Sequence, residues 1–212
     1  MNFSFIEKYY KFFLNGTYTT LILSLLTVVF GVLGGLLLSL MKTSGNKVLK
    51  GIATAYIEFI RGTPLLIQLY IVYYGVQGIP MFTAGIIAMS INSSAYIAEI
   101  IRAGIEAVDK GQMEAARSLG MPIGLTYKEI IIPQALKNIL PALGNEFIVL
   151  IKESAIVSVI GIHDLMYNTD TVRGITFIAF EPLIVAAFIY FVLTFTLSKG
   201  MGSLERRMKV SD

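Results

Sequence analysis

Thr63, Asn92, Ser93, Tyr96 and Glu153 stand within stretches of sequence that are otherwise apolar. Away from water, a hydroxyl, amide or carboxylate must be hydrogen-bonded or must line a wet path. Asn92, Tyr96 and Glu99 follow at i, i+4 and i+7, one face of a helix. Gln134, Asn138, Pro141, Asn145 and Lys152 recur at steps of four, three, four and seven and form a second face, with Glu146 and Glu153 beside it. The chemistry open to such faces is recognition of a small polar solute, and we expect them to line its path. The same groups suit hydrogen bonding between helices, and for Asn138 and Asn145 the two readings weigh alike. Enzyme chemistry is not indicated. No nucleophile and base are spaced together, the single histidine, His163, stands apart, and there is no GxxxxGK[ST] phosphate loop or metal-ligand cluster.

The elements that must carry these residues are membrane helices. Of the 212 residues, 55% are hydrophobic and only 15% charged, against about a quarter charged in an average soluble domain. The mean hydropathy is +0.73. Five apolar stretches reach or approach the roughly 20 residues a bilayer requires. They run over residues 17–41, 52–76, 80–101, 134–160 and 182–197, the last with a start as early as Phe177. The fold class expected is an all-α polytopic membrane protein with five transmembrane helices, and residues 1–212 form a single domain. Twelve of the 17 Lys and Arg fall on one side of such an arrangement. They are Lys42, Lys47 and Lys50; Arg102, Lys110, Arg117, Lys128 and Lys137; and Lys199, Arg206, Arg207 and Lys209. The positive-inside rule makes that side cytoplasmic, with the N-terminus outside and the C-terminus inside. Lys8, Lys11, Lys152 and Arg173 are left outside, and Arg61 lies within a span.

Residues 1–16 carry Phe, Tyr and Ile around Glu7, Lys8 and Lys11, as an interfacial segment would, and no cleaved signal peptide is expected. The sequence has no cysteine, so disulfides and thiolate metal sites are excluded.

Residues 109–133 form a cytoplasmic loop between the third and fourth stretches. Asp109 suits an N-cap, Gln112 completes a variant capping box, Gly120 suits the left-handed position past a helix end, and Pro122 stops continuation. The resulting helix, near Gln112–Leu119, is too short to stand alone in water and needs something to pack on. Met113 and Ala116 share one face, Ala115 and Ala116 keep the surface low, and Glu114 and Arg117 are spaced to pair. Such a helix can sit in a groove of a partner protein.

Glu114-Ala115-Ala116, Gly120, Ile130 and Ile132-Pro133 resemble the EAA loop of ABC-importer permeases, with Ile132 where that pattern prefers Leu. Arg61-Gly62-Thr63-Pro64-Leu65-Leu66-Ile67-Gln68, the run from Ser94 to Arg102 and the run from Lys152 to Gly161 are similar to segments of permeases for polar amino acids. That group comprises the histidine, glutamate, glutamine, arginine and opine transporters, and the resemblance covers most of the chain. It implies the permease subunit of a type I ABC importer in a prokaryotic cytoplasmic (inner) membrane. It implies that Glu114, Ala115, Ala116, Gly120 and Pro133 belong to a coupling helix and its connection, docked on an ABC ATPase subunit. ATP and Mg would be bound by that partner and no cofactor by this chain. Further implied partners are a second permease copy or paralogue, an extracytoplasmic amino-acid-binding protein and membrane lipid, with no nucleic acid.

Within that family picture Thr63, Asn92, Ser93, Tyr96 and Glu153 are the expected substrate contacts. A carboxylate without a partner, lining a pocket, favours a cationic ligand. Glu153 therefore points to arginine, lysine or histidine, unless Lys152 or another basic group neutralises it as scaffold. A secondary transporter or channel subunit driven by an ion gradient would also explain the polar faces, but not the docking helix. Arg61 is expected to serve structure, with Glu58 three residues before it and Glu99 at a similar depth. Glu99, Arg102 and Glu106 are spaced to form a ladder along one helix.

Overall fold

The computed structural model describes residues 3–209, with side chains described as far as Arg206. Arg207 and Lys209, counted on the basic side, therefore have side chains outside the described residues. Helices form the whole framework, and no strand occurs among the described residues. In chain order they are α1 (Phe5–Thr43), α2 (Lys47–Arg61), α3 (Leu65–Gly75), α4 (Met81–Glu106), α5 (Lys110–Ser118), α6 (Ile123–Thr126), a π-helical turn (Tyr127–Ile131), α7 (Ile132–Glu153), a 3-10 segment (Ser154–Ile160), α8 (Leu165–Thr176) and α9 (Glu181–Lys209). Three helical stretches are long and apolar enough to cross a membrane: α1, α4 and Glu181–Arg206 of α9.

The first apolar stretch begins earlier than its hydropathy indicates. Residues 5–16, expected as a separate interfacial segment, are the opening turns of α1 itself. They are held by tertiary packing: Phe5 and Phe13 are buried with Leu165, Val172 and Ala186 of α8 and α9. Gly16 marks a close approach to backbone, since a Cβ there would lie 2.7 Å from Leu165 Cα. Further along, Gly31 and Gly35 of α1 face Ser93, Ser94 and Ile97 of α4 at similarly short range. Small residues let two helices meet at backbone distance where lipid offers no hydrophobic drive.

The second apolar stretch is two helices, which corrects the single span over 52–76. Gly62 caps α2, Thr63 and Pro64 follow, and Pro64 lacks the N–H that a continuous helix would use. α3 is only 11 residues long, so it cannot span by itself. The fourth stretch is corrected at its end. α7 stops at Glu153, and residues 154–160 tighten into 3-10 geometry that closes at Gly161 in the left-handed conformation. The fifth is longer than expected, because α9 runs unbroken from Glu181 to Lys209.

Candidate functional site: an interrupted helix, a charge cluster and a capped loop

The interruption at 62–64 leaves the last carbonyls of α2 without helical donors, a serious cost away from water. The side chain of Gln68, one turn into α3 and only 6% exposed, answers it. Its Nε2 lies 2.8 Å from the Ile60 carbonyl, 2.8 Å from Thr63 Oγ1 and 3.1 Å from the Thr63 carbonyl. Its Oε1 accepts from Asn92 Nδ2 of α4 at 3.0 Å. The amide orientation follows from this chemistry, because a flipped oxygen would face two carbonyls. Thr63 Oγ1 in turn donates to the Phe59 carbonyl at 2.9 Å.

The structure therefore brings Thr63 and Asn92 together, through a residue whose role the sequence did not disclose. Gln68 had only one signal, an amide four residues past a proline in an apolar run. Ser93 is fully buried and donates to Glu146 Oε1 at 3.1 Å. Its hydroxyl is thus turned to α7. Tyr96 is partly exposed, and the Arg61 guanidinium sits 5.4 Å from its ring centre. Glu153 is exposed at the end of α7, and among the described residues no cation lies within salt-bridge distance of it. Glu146 sits at the level of Ser93, and Glu153 is seven residues further along the same helix, about 10 Å. The five expected contacts therefore occupy two levels. Thr63, Asn92 and Ser93 are engaged within the chain, Tyr96 is partly exposed beside Arg61, and Glu153 is exposed.

Glu99 is the centre of a charge cluster. Lys42, in the last turn of α1, reaches its Oε1 at 2.6 Å. Arg102 reaches its Oε2 at 2.9 Å and also pairs with Glu106, as the spacing predicts. Arg61, at the end of α2, stands 4.0 Å away. One carboxylate thus ties the ends of α1, α2 and α4. Lys42 lies 57 residues from Glu99 and carried no local sign of the pairing. Asn138 of α7 donates to the Gly104 carbonyl of α4 at 3.3 Å, which makes it interhelical glue. Beside it, a Cβ at Gly104 would meet Ile139 Cγ1 at 2.3 Å.

The short helix expected near Gln112–Leu119 is α5, Lys110–Ser118, and not all of its expected contacts form. Asp109 caps α5 by accepting from Gly111 N at 2.7 Å, and Gly120 takes φ +82°. The Gln112 side chain does not close a capping box; its Oε1 faces Gln134 Nε2 at 3.4 Å. Arg117 is not held by Glu114, because its Nη1 donates to the Met121 carbonyl at 2.6 Å. The shared face of Met113 and Ala116 turns inward. Ala116 is 2% exposed, and Met113 packs on the cluster of Val108 and Ile131. The outward face carries Ala115, Ser118 and Leu119, with Leu119 84% exposed. Leu119, an apolar residue directly before the capping glycine, was overlooked in the sequence. Pro133 follows the π turn, at the start of α7.

Residues 28–210 match the family of binding-protein-dependent transport system inner membrane components. The chain belongs to that family. It is 45% identical, over 99% of its length and 100% of the relative's, to a putative glutamine transport system permease protein of Rickettsia conorii. It is 44% identical to the arginine transport system permease protein of Bacillus subtilis, covering 100% of this chain and 99% of that one. Among solved structures, a chain from the crystal structure of an amino acid ABC transporter with histidines aligns at TM-score 0.94 and 55% identity. The alignment covers 98% of this chain and 99% of that chain. An inward-facing form of the MetNI methionine ABC transporter shares the fold at TM-score 0.80 and 18% identity. Its relatives are transport permeases, not enzymes.

Proposed function

We propose that this chain is the permease subunit of an ATP-driven amino-acid importer in a prokaryotic inner membrane. The observation that carries this reading is the 55% identity, over 98% of the chain, to a chain of an amino acid ABC transporter. In this reading residues 1–212 act as one permease domain that crosses the membrane five times. The crossings are made by α1, the α2–α3 pair, α4, α7 with its 3-10 extension, and α9. The basic end lies in the cytoplasm and the N-terminus lies outside. A separate ABC ATPase subunit binds ATP and Mg. A second permease completes the path, and an extracytoplasmic binding protein delivers the amino acid.

The loop 109–133 is the coupling element. Glu114, Ala115, Ala116, Gly120 and Pro133 belong to it in different ways. Ala115 and Glu114 are offered outward together with Leu119, whereas Ala116 holds α5 to the body and Gly120 allows the turn that ends it. Pro133 joins the loop to α7. Thr63, Asn92 and Ser93 shape the path, and Tyr96 and Glu153 face the solute. An exposed carboxylate at Glu153 that forms no salt bridge, although Lys152 stands next to it in the chain, favours a basic amino acid, and arginine is the first candidate.

Reconstitution in proteoliposomes tests the mode of energy supply. Uptake that requires the ATPase subunit and ATP is expected; gradient-driven uptake by the permease alone would favour a secondary transporter. Within the assembled complex, Leu119→Asp should lower ATP-driven uptake at least tenfold while ATPase assembly on the loop weakens. Unchanged uptake would remove Leu119 from the docking face.

A further inference from the structure

We infer that Gln68 is a positioning residue for the solute path: its side-chain amide locks the interruption between α2 and α3 and couples that interruption to α4. This rests on the path reading proposed above. An ordinary helix breaks at proline and hands its orphan carbonyls to water. Here the Phe59 carbonyl goes to Thr63 Oγ1, and one buried side chain takes the Ile60 carbonyl, donating from its amide to Ile60 and Thr63 and accepting from Asn92. The glutamine side chain has both donors and an acceptor at this reach. Glutamate keeps the acceptor and loses at least one of the donors, and leucine keeps only the volume.

The geometry has a mechanical consequence. Thr63 Oγ1 accepts from Gln68 and donates to the Phe59 carbonyl, so its hydroxyl is engaged within the chain. What the break presents to the path is set by how far Gln68 draws residues 60–63 toward Asn92. Asn92 lies on α4, one turn from Tyr96, which faces Arg61 at the end of α2. A displacement of α4 is therefore transmitted to the break at two places, through Gln68 and through the Arg61–Tyr96 stack. Gln68 itself need not touch the solute.

The test uses the assembled complex, ATPase and binding protein included, in proteoliposomes. For Gln68→Leu the half-saturating concentration of amino acid for uptake should rise at least tenfold, by more than the maximal rate falls. Gln68→Glu should behave alike, because even a protonated carboxyl offers one donor where the amide offers two. A double-mutant cycle with Asn92→Leu should be non-additive, with the double variant no worse than the poorer single variant. A purely architectural glutamine would lower the yield of complex and leave half-saturation unmoved, and that result overturns the inference. Additive effects overturn the coupling to α4. If neither Gln68 variant assembles, Gln68 is scaffold and the inference fails. If Asn92→Leu and Glu153→Gln both leave uptake unchanged, the path reading itself is at fault, whatever Gln68 does.

Discussion

Glu99 and Glu153 are the same side chain in opposite circumstances. Glu99 is met by Lys42, Arg102 and, more distantly, Arg61, drawn from three helices. Glu153 is exposed at the far end of α7 with no ion-pair partner among the described residues. A paired carboxylate of this kind fixes its neighbours and is no longer available to a ligand. A solitary one contributes little to the fold and keeps its field for whatever enters. Residue identity does not separate scaffold from site here; the cations supplied by other helices do.

The comparison can be broken most sharply at Glu99. Glu99→Leu leaves Lys42 and Arg102 without their shared partner at a site where Glu99 is 18% exposed. Removing one partner of a buried pair costs about 3–5 kcal/mol, and this partly wet cluster belongs at the low end. Thermal unfolding of the purified complex should show the loss. Glu153→Gln should shift the same transition by no more than about 0.5 kcal/mol, as a surface exchange does. Equal losses for the two variants would dissolve the distinction.

A third carboxylate sharpens it. Asp164 caps α8, accepting from Tyr167 N at 2.9 Å and Met166 N at 3.2 Å, yet it is fully buried. Burial pushes its pKa up to about 6, against the pull of those backbone donors. The folded state therefore holds a proton that the unfolded state has released between about pH 4 and pH 6, and stability falls as pH rises through that window. The full effect is on the order of 3 kcal/mol. Asp164→Asn should flatten the dependence, so the variant gains on the wild type as pH rises to 7. Parallel melting curves from pH 4.5 to 7 would contradict the burial argument.

A smaller loss than those at Glu99 and Asp164 is expected in the loop. Gly120 adopts φ +82°, and an alanine there costs about 1–2 kcal/mol of local structure. Hydrogen exchange of α5 amides should quicken in Gly120→Ala, while the Glu99 cluster stays protected.

Much of this contrast could be read from sequence, and what could not has a physical reason. Asp109, Gly120 and Pro122 report loop geometry because capping and left-handed turns depend on local residue type. The Glu99–Arg102–Glu106 ladder was legible because it lies on one helix. Lys42 was not, since only the packing of α1 on α4 brings it across. The direction of the Met113–Ala116 face was ambiguous because a face that packs on its own chain and one that packs on a partner share a composition. The break at Pro64 was not drawn from an apolar run that reads as one span, and its repair by Gln68 depends on where α3 points. Ser93 stood out as a polar residue in an apolar run, and only the structure shows that it answers to Glu146.

The reading of Glu153 as the open member of the pair is tested most directly by equilibrium binding of labelled arginine and labelled glutamine to the purified complex, wild type and Glu153→Gln. The account predicts that arginine binds better to the wild type, and that the exchange weakens arginine at least tenfold while glutamine changes little. Unchanged arginine affinity, or an equal loss for both amino acids, would contradict it.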